Sequence, residues 1–221
     1  HWLERLGRDP EGALYKMYDS FENAVNGEKK TRRDESKADL EAFLDAMNLQ
    51  GDALRTYLYD EVNIAAMVNF LAAMIVTSSL DCCHKNYYLY RTPNALWRMV
   101  FWDCDTTFGQ DWQDGHRTNP DEDWYFGGQM GDFANRFVGD DTINYLGRFR
   151  HELASGVLSV GAMDQRIDAL ANAIRGPVAA EVGSRGKNFD EELAWLKEAM
   201  RRRHAKLTEK INGECSFRPC H

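Results

Sequence analysis

Residues 86–105 read NYYLYRTPNALWRMVFWDCD, and they decide the fold class of the chain. Two runs rich in aromatic and β-branched residues, 86–92 and 96–103, are separated by the turn-forming pair Pro93 and Asn94. Residues of these types favour strands, and a short turn between two such runs is typical of a β-hairpin. The second run leads into two aspartates, Asp103 and Asp105. The sequence therefore predicts a hairpin with acidic side chains at one end.

Helical patterns lie on both sides of this hairpin. Apolar residues at helical spacing predict helices over residues 36–47, with Ser36 as the N-cap, and over residues 54–62. Residues 61–79 are apolar nearly all round, which is typical of a helix buried in the core. Further amphipathic patterns cover residues 140–155, 159–174 and 189–211, and the second ends at Gly176 and Pro177. We predict an α+β fold that is mostly helical, with a small central β-hairpin.

The remaining stretches lack a period and are predicted as loops. Residues 26–37 combine turn chemistry with mixed charge, and residues 110–131 are rich in Asp, Gly, Trp and Asn. We treat residues 1–221 as a single domain. Its central block covers about residues 60–131, and a helical C-terminal part covers about residues 133–212.

Composition excludes several classes of function. Lys and Arg number 27 against 35 Asp and Glu, so the net charge of −8 argues against nucleic acid as the main partner. The longest apolar run, residues 64–76, is interrupted by Asn69 and is too short to span a membrane. The five cysteines do not have the spacing of a zinc site. Cys215 and Cys220 could pair in an oxidising compartment, and the other three are expected to be small buried residues.

Four oxygen-bearing side chains are predicted to converge at one end of the hairpin. Asp81 follows the buried helix, Asn86 begins the first strand, and Asp103 and Asp105 follow the second. Three carboxylates this close would repel one another unless a cation lay between them. Magnesium prefers oxygen ligands, so it is the natural partner. Any one of these residues alone would more often be a solvated turn residue, and only the set indicates a metal site.

The spacing of these residues parallels that of protein kinases. Kinases place a metal-binding Asn five residues after a catalytic Asp, and a second metal-binding Asp follows after a short hairpin. Asp81 and Asn86 have the first relation, and Asp103 or Asp105 could have the second role, with Phe108 and Gly109 just downstream.

Residues 67–91 and 96–109 resemble the central segment of the CotH family, the atypical spore-coat protein kinases. The matching motifs are the acidic loop at Asp81, the NYYLY strand and the WDCDTTFG segment; GALYKMYD (residues 12–19) resembles the family's LYK strand, and DLEAFLDAMN (residues 39–48) resembles its preceding helix. The resemblance implies an atypical kinase-like fold that uses ATP and Mg²⁺ or Mn²⁺ to phosphorylate Ser or Thr of a protein. It also implies a location that is secreted or on the cell or spore surface.

Carried over residue by residue, the resemblance implies that Asp81 is the catalytic aspartate and that Asn86 and Asp103 are metal ligands. Asp105 is a second acidic residue at the metal, and the motif does not separate its role from that of Asp103. Trp102, His84 and Lys85 are candidates for the cofactor side of the site. For Trp102 the alternative is packing, and for His84 and Lys85 it is exposure in a loop.

The region before Asp81 leaves the activity open at this point. The residues before Asp81 are predicted to be mainly loop and helix, so the phosphate-gripping lobe of a kinase is expected to be largely missing and the chain to be a piece of a longer protein. Lys16 is the only basic residue there in a strand-like setting, and it is not assigned to the site. The alternatives are a catalytically silent surface, adhesion or binding module, or a two-metal phosphodiesterase. The basic run at residues 201–204 is predicted to be a solvated helix face.

Overall fold

The computed structural model describes residues 2–18, 24–79, 85–94, 96–111, 113, 115–116, 145–181 and 188–214. In chain order, the described elements are α1 (Trp2–Arg5), β1 (Ala13–Met17), a 3-10 turn (Ala24–Asn26), β2 (Gly27–Lys29), α2 (Ala38–Ala46), α3 (Gly51–Glu61), α4 (Ile64–Thr77), β3 (Tyr87–Arg91), β4 (Trp97–Phe101), α5 (Tyr145–Ala154), α6 (Val160–Ala180) and α7 (Phe189–Glu214). The fold is therefore mixed, with helices predominating around one small sheet.

The predicted hairpin is confirmed, but it is half of a larger sheet. β3 and β4 pair antiparallel with Tyr87 opposite Phe101 and Arg91 opposite Trp97. The sheet has four antiparallel strands in the order β2-β1-β3-β4, so β1 and β2 extend the hairpin on its β3 side. The prediction of a loop over residues 26–37 is therefore wrong at β2. The region before Asp81 contributes two strands, because pairing partners distant in sequence stabilise short segments that have weak patterns of their own.

The two faces of the sheet bury different clusters. The inner face, which includes Tyr15, Leu89 and Met99, packs with α4 and the other helices in the main core. The outer face carries Leu14, Tyr88, Tyr90 and Val100, and Leu3 of α1 packs on it. Because side chains alternate along a strand, Lys16 of β1 belongs to the outer face.

The helix predicted to be buried is α4, and this prediction is confirmed. Met67, Leu71 and Ile75 are all buried on it. Its first turn is capped by the Asn63 side chain, whose Oδ1 accepts the Ala66 N–H at 3.0 Å. It ends at Ser78, which adopts a left-handed conformation with φ 52°.

The helices predicted after Phe133 are present, with one change in length. α5, α6 and α7 correspond to the three patterns, and Ser159 is the N-cap of α6 as predicted. α6 does not end at Gly176 and Pro177 but continues to Ala180. Pro177 lies in the last turn, so the helix ends three residues beyond the backbone hydrogen bond that this proline cannot donate. At the start of α2 the N-cap is Lys37 rather than Ser36.

The basic run of α7 and the cysteines were also given predictions from the sequence. The basic run at residues 201–204 is only partly solvated, because Arg203 is 2 % exposed. Cys104 is a free thiol, and the other four cysteines lie outside the described residues. Among the described helices, none is long and apolar enough to cross a membrane.

Candidate active site

The end of the hairpin where β3 begins and β4 ends carries the candidate site. The strand register puts Asn86, the residue before β3, level with Trp102, the residue after β4. Asp103 is the next residue after Trp102. Its side chain is exposed, and its backbone φ is 55°. Asn86 also has a positive φ, 61°. The hairpin thus brings an amide side chain and a carboxylate, 17 positions apart in sequence, to one end of the sheet.

Left-handed backbone is concentrated around this site. Ser78, Asn86, Asp103 and Phe108 all have φ between 51° and 61°. This conformation costs a non-glycine residue on the order of 1–2 kcal/mol, although Asn and Asp tolerate it best. Strained backbone that surrounding structure holds in place is common where side chains must be aimed at a ligand. These four positions therefore have the backbone character of a functional site.

Lys16 is the residue that sequence reasoning left unassigned and that the sheet brings to this site. It lies on β1, opposite Tyr88 of β3, and is 6 % exposed. Its Nζ donates to Asn86 Oδ1 at a distance of 3.5 Å. Burial lowers the pKa of Lys16, and the negative charge of Asp103 partly opposes that shift. The signal in the sequence was the LYK motif itself, but only the pairing of β1 with β3 places this lysine beside Asn86.

Aromatic rings surround the Lys16 ammonium group. Its Nζ lies 5.3 Å from the centre of the Tyr88 ring, 5.5 Å from that of Trp102 and 5.8 Å from that of Tyr18. A ring face attracts a cation, so these three contacts offset part of the cost of burying the charge. Trp102 also packs edge-on against Tyr88 and Trp2, at 5.3 Å and 5.9 Å between ring centres. It is 41 % exposed, so it both packs and presents surface at the site.

Residues 103–108, which follow β4 and are called the acidic block below, are anchored to the end of α4. The Phe108 N–H donates to the Thr77 carbonyl at 2.6 Å, which joins the block to the helix that leads to Asp81. Asp105 Oδ1 accepts the Thr106 N–H at 3.0 Å, and its carboxylate remains exposed. The hydroxyl of Thr106 is buried and has no hydrogen-bond partner among the described residues. Cys104 lies between Asp103 and Asp105 in the sequence. Burial raises the pKa of its thiol, which keeps the thiol protonated.

Asp81 and His84 lie outside the described residues, so their predicted roles stay predictions. Lys85 is exposed, and its charge lowers the pKa of Lys16. Within the part of the chain that the structure describes, no group of three His, Cys, Asp or Glu side chains is placed to hold a metal ion. The oxygen donors present there are Asn86, Asp103, Asp105 and the buried Thr106 hydroxyl, a set whose chemistry fits a hard divalent cation.

A family model described as "CotH kinase protein" matches residues 1–207. The chain belongs to the CotH kinase family. No curated protein matches it. Membership in the family indicates a kinase-like function and suggests the use of ATP, a divalent metal and a protein substrate. The matched region of this CotH-family chain includes β1 and Lys16, so the first two strands are part of the family's domain.

In this CotH-family protein, the segment after the acidic block is joined to the helical layer. His116 stacks on Trp195 of α7, with ring centres 3.6 Å apart, and its Nε2 lies 2.9 Å from Glu192 Oε2. Gln110 and His116 form an isolated bridge, which turns this part of the chain back on itself. Residues 117–131 of the predicted loop lie outside the described residues.

Proposed function

We propose that this CotH-family protein catalyses ATP- and metal-dependent transfer of a phosphoryl group to Ser or Thr of an acceptor protein. The observation that carries the proposal is the position of Lys16. A buried ammonium group lies beside a carboxamide and close to a carboxylate, at the site of the sequence motifs that resemble a kinase's metal ligands. Phosphoryl transfer needs this combination, because the transferring group is anionic and its charge must be matched by cations.

In this proposal each residue of the candidate site has a separate role in binding or in proton transfer. Lys16 contacts a phosphate oxygen, and its burial strengthens that attraction because little water screens it. Asn86, Asp103 and Asp105 hold the divalent cation, which neutralises charge on the phosphates when bound. Asp81 accepts the proton of the acceptor hydroxyl. Trp102 presents an aromatic surface on the nucleotide side, whereas Lys85 and His84 are placed in sequence to attract phosphate.

The aromatic surroundings of Lys16 support this division of roles. Rings at three sides exclude water and hold the ammonium group in one place, so that no reorganisation is needed when a phosphate arrives. Burial removes most of the hydration of the Lys16 ammonium group, and one hydrogen bond of 3.5 Å with three ring contacts offsets only part of that cost. An anion bound at Lys16 supplies the remaining compensation for the buried charge.

Transfer of radiolabelled phosphate from ATP to casein, with Mg²⁺ or Mn²⁺, tests the proposal. We expect Lys16→Met and Asp105→Asn each to lower kcat/KM by about 100-fold or more, the size of effect seen when a positioned electrostatic contact is lost. Lys206→Met, at an exposed lysine of α7, is the matched control and should retain activity. Equal activity of Lys16→Met and Lys206→Met would refute the role of Lys16.

Thermal melting with and without ATP and metal distinguishes the kinase from the two alternative functions, a phosphodiesterase and a catalytically silent binding module. Binding to the native state raises the midpoint, so a shift with ATP and metal together supports the kinase. A shift with metal alone supports a phosphodiesterase-type metal site. The absence of any shift, together with the absence of transfer, supports a catalytically silent binding module.

A further inference from the structure

The outer edge of β4 lines a groove that the proposed phosphoryl transfer does not use. β4 is the last strand of the sheet, and a groove of about 550 Å³ lies between it, α4, α5 and the N-terminal segment. Its lining includes Leu6, Arg8, Ala66, Phe70, Met99 and Phe101. We propose that this groove binds an extended segment of the acceptor protein, which adds to the sheet as a fifth strand beside β4 and bears an acidic residue that meets Arg8. The identity of the segment as acceptor rests on the proposed function, whereas its binding does not.

The backbone of β4 offers hydrogen bonds at this edge. Two contacts show which of its residues face away from β3: the Trp97 carbonyl accepts the Asn63 N–H at 2.9 Å, and the Met99 N–H points to Met67 Sδ at 3.2 Å. Outward groups recur at every second residue of an antiparallel strand. The next outward groups are the Met99 carbonyl and the Phe101 N–H, which have no hydrogen-bond partner among the described residues. An added strand can donate to the first and accept from the second.

Apolar side chains surround this open edge. Phe101 and Leu6 are 46 % and 41 % exposed, and both line the groove. Phe70 of α4 stacks on Phe101 with 4.6 Å between ring centres, and this stack makes one wall. Ala66 on the same helix leaves room beside it. Exposed apolar surface concentrated along one open strand edge is typical of a site for another polypeptide.

Charge at one end of the groove indicates an acidic residue in the bound segment. The Nε of Arg8 is buried without a hydrogen-bond partner in the described part of the chain, and so is the Nε of Arg98. Burial and the nearby charge of Arg8 both lower the pKa of Arg98. Neither guanidinium makes an ion pair within the described residues, and the Asp9 carboxylate accepts the Glu11 N–H instead. A carboxylate from a bound segment relieves the repulsion between the two arginines.

The direction of β4 connects this groove to the candidate active site. Phe101 is followed by Trp102 and Asp103, so the open edge ends about 7 Å of extended chain from the acidic block. A segment that pairs with Met99 and Phe101 continues towards that block. A Ser or Thr a few residues beyond the paired part is thereby delivered to the site.

Binding of labelled peptides to the full chain, without nucleotide or metal, tests the inference. The probes are two fluorescein-labelled nine-residue peptides of alternating Val and Thr, one with a Glu at its N-terminus and one with a Glu at its C-terminus. Their binding is measured by fluorescence anisotropy. Two further versions carry N-methyl groups on the odd or on the even amides. Only one edge of an added strand faces β4, so we expect one methylated version to bind about tenfold more weakly and the other to bind like the parent.

Variants of the chain test the position of the bound segment. Ala66→Phe fills the groove and should weaken binding about tenfold or more, whereas Ala65→Phe, at the exposed neighbouring position of α4, should not change it. Arg8→Glu should weaken binding of the Glu peptides and be rescued by peptides with Lys in place of Glu. Asp105→Asn should bind peptide normally, so a failure of phosphoryl transfer remains distinguishable from a failure of docking.

Three results would overturn the inference. One is that no peptide of the set binds with a Kd below about 1 mM. Another is that both methylated versions bind alike, which means apolar contact without strand pairing. The third is that neither Ala66→Phe nor Arg8→Glu weakens binding relative to Ala65→Phe.

Discussion

Arg203 connects the last helix to the helix that supports the candidate site, and its replacement gives a quantitative test of the fold. Its side chain is 2 % exposed, and Nε and Nη2 both donate to the Ile75 carbonyl, at 3.1 Å and 2.9 Å. This carbonyl belongs to the last turn of α4, where the Ser78 N–H also donates to it, at 3.1 Å. Arg203 thus binds the end of α4 that precedes Ser78 and Asp81.

The cost of Arg203→Met follows from these two bonds. Methionine retains much of the apolar stem but donates nothing, so the buried Ile75 carbonyl loses both charged donors and keeps the Ser78 N–H. A hydrogen bond to a charged group contributes about 1.5–3 kcal/mol, and because the two bonds share one acceptor we count them as one strong interaction of about 2–3 kcal/mol. For a domain of this size the midpoint of thermal unfolding should fall by about 4–12 °C.

Urea denaturation followed by circular dichroism at 222 nm measures this loss directly. The matched control is Arg202→Met, the same change at the preceding, exposed position of α7, which should alter the free energy of unfolding by less than about 0.5 kcal/mol. If the two variants lose equal stability, or if Arg203→Met costs less than about 0.5 kcal/mol, the Ile75 contact does not contribute as we argue.

Two further predictions concern the sheet and the helices. Gly12→Ala should lower the free energy of unfolding by about 1–3 kcal/mol, because a Cβ at Gly12 would overlap the ring of Tyr90. Gly161→Ala should raise it by about 0.5 kcal/mol, because there is open space around this position of α6. Denaturation midpoints of the two variants that shift in the same direction would contradict this prediction. Burial and then the charge of Glu61 raise the pKa of Tyr57 to about 12. The native state therefore holds a proton that the unfolded chain releases near pH 10, so stability should fall as pH rises from about 10 to 12, and Tyr57→Phe should flatten this fall in pH-dependent melting.

Much of the local structure could be read from residue patterns. The hairpin of β3 and β4 was predictable because aromatic and β-branched residues flank Pro93 and Asn94. α4 was predictable as a buried helix because its sequence is apolar all round. The placement of Asn86 and Asp103 at one end of the hairpin followed from the hairpin itself, since a two-stranded turn brings its outer ends together. The resemblance to the CotH family, carried by the same short motifs, is confirmed by the family match over residues 1–207.

Other features depended on contacts between distant segments. β2 has only three residues, and GEK has no strand pattern, so its pairing with β1 decides its structure. The basic run that contains Arg203 has a solvated character in sequence, but the packing of α7 against α4 buries one of its arginines. α6 continues through Pro177 although a proline usually ends a helical pattern.

By itself, the sequence determined the family, the hairpin and the oxygen-bearing residues that the hairpin presents, because each of these is encoded in a contiguous stretch with its own periodicity. Only the tertiary structure decided that Lys16 lies beside Asn86 and that the end of β4 lines a groove with Phe70 of α4. The physical reason is that strand order and pairing register are set by packing between segments 70 to 78 residues apart, and no local pattern records which strand a lysine will face.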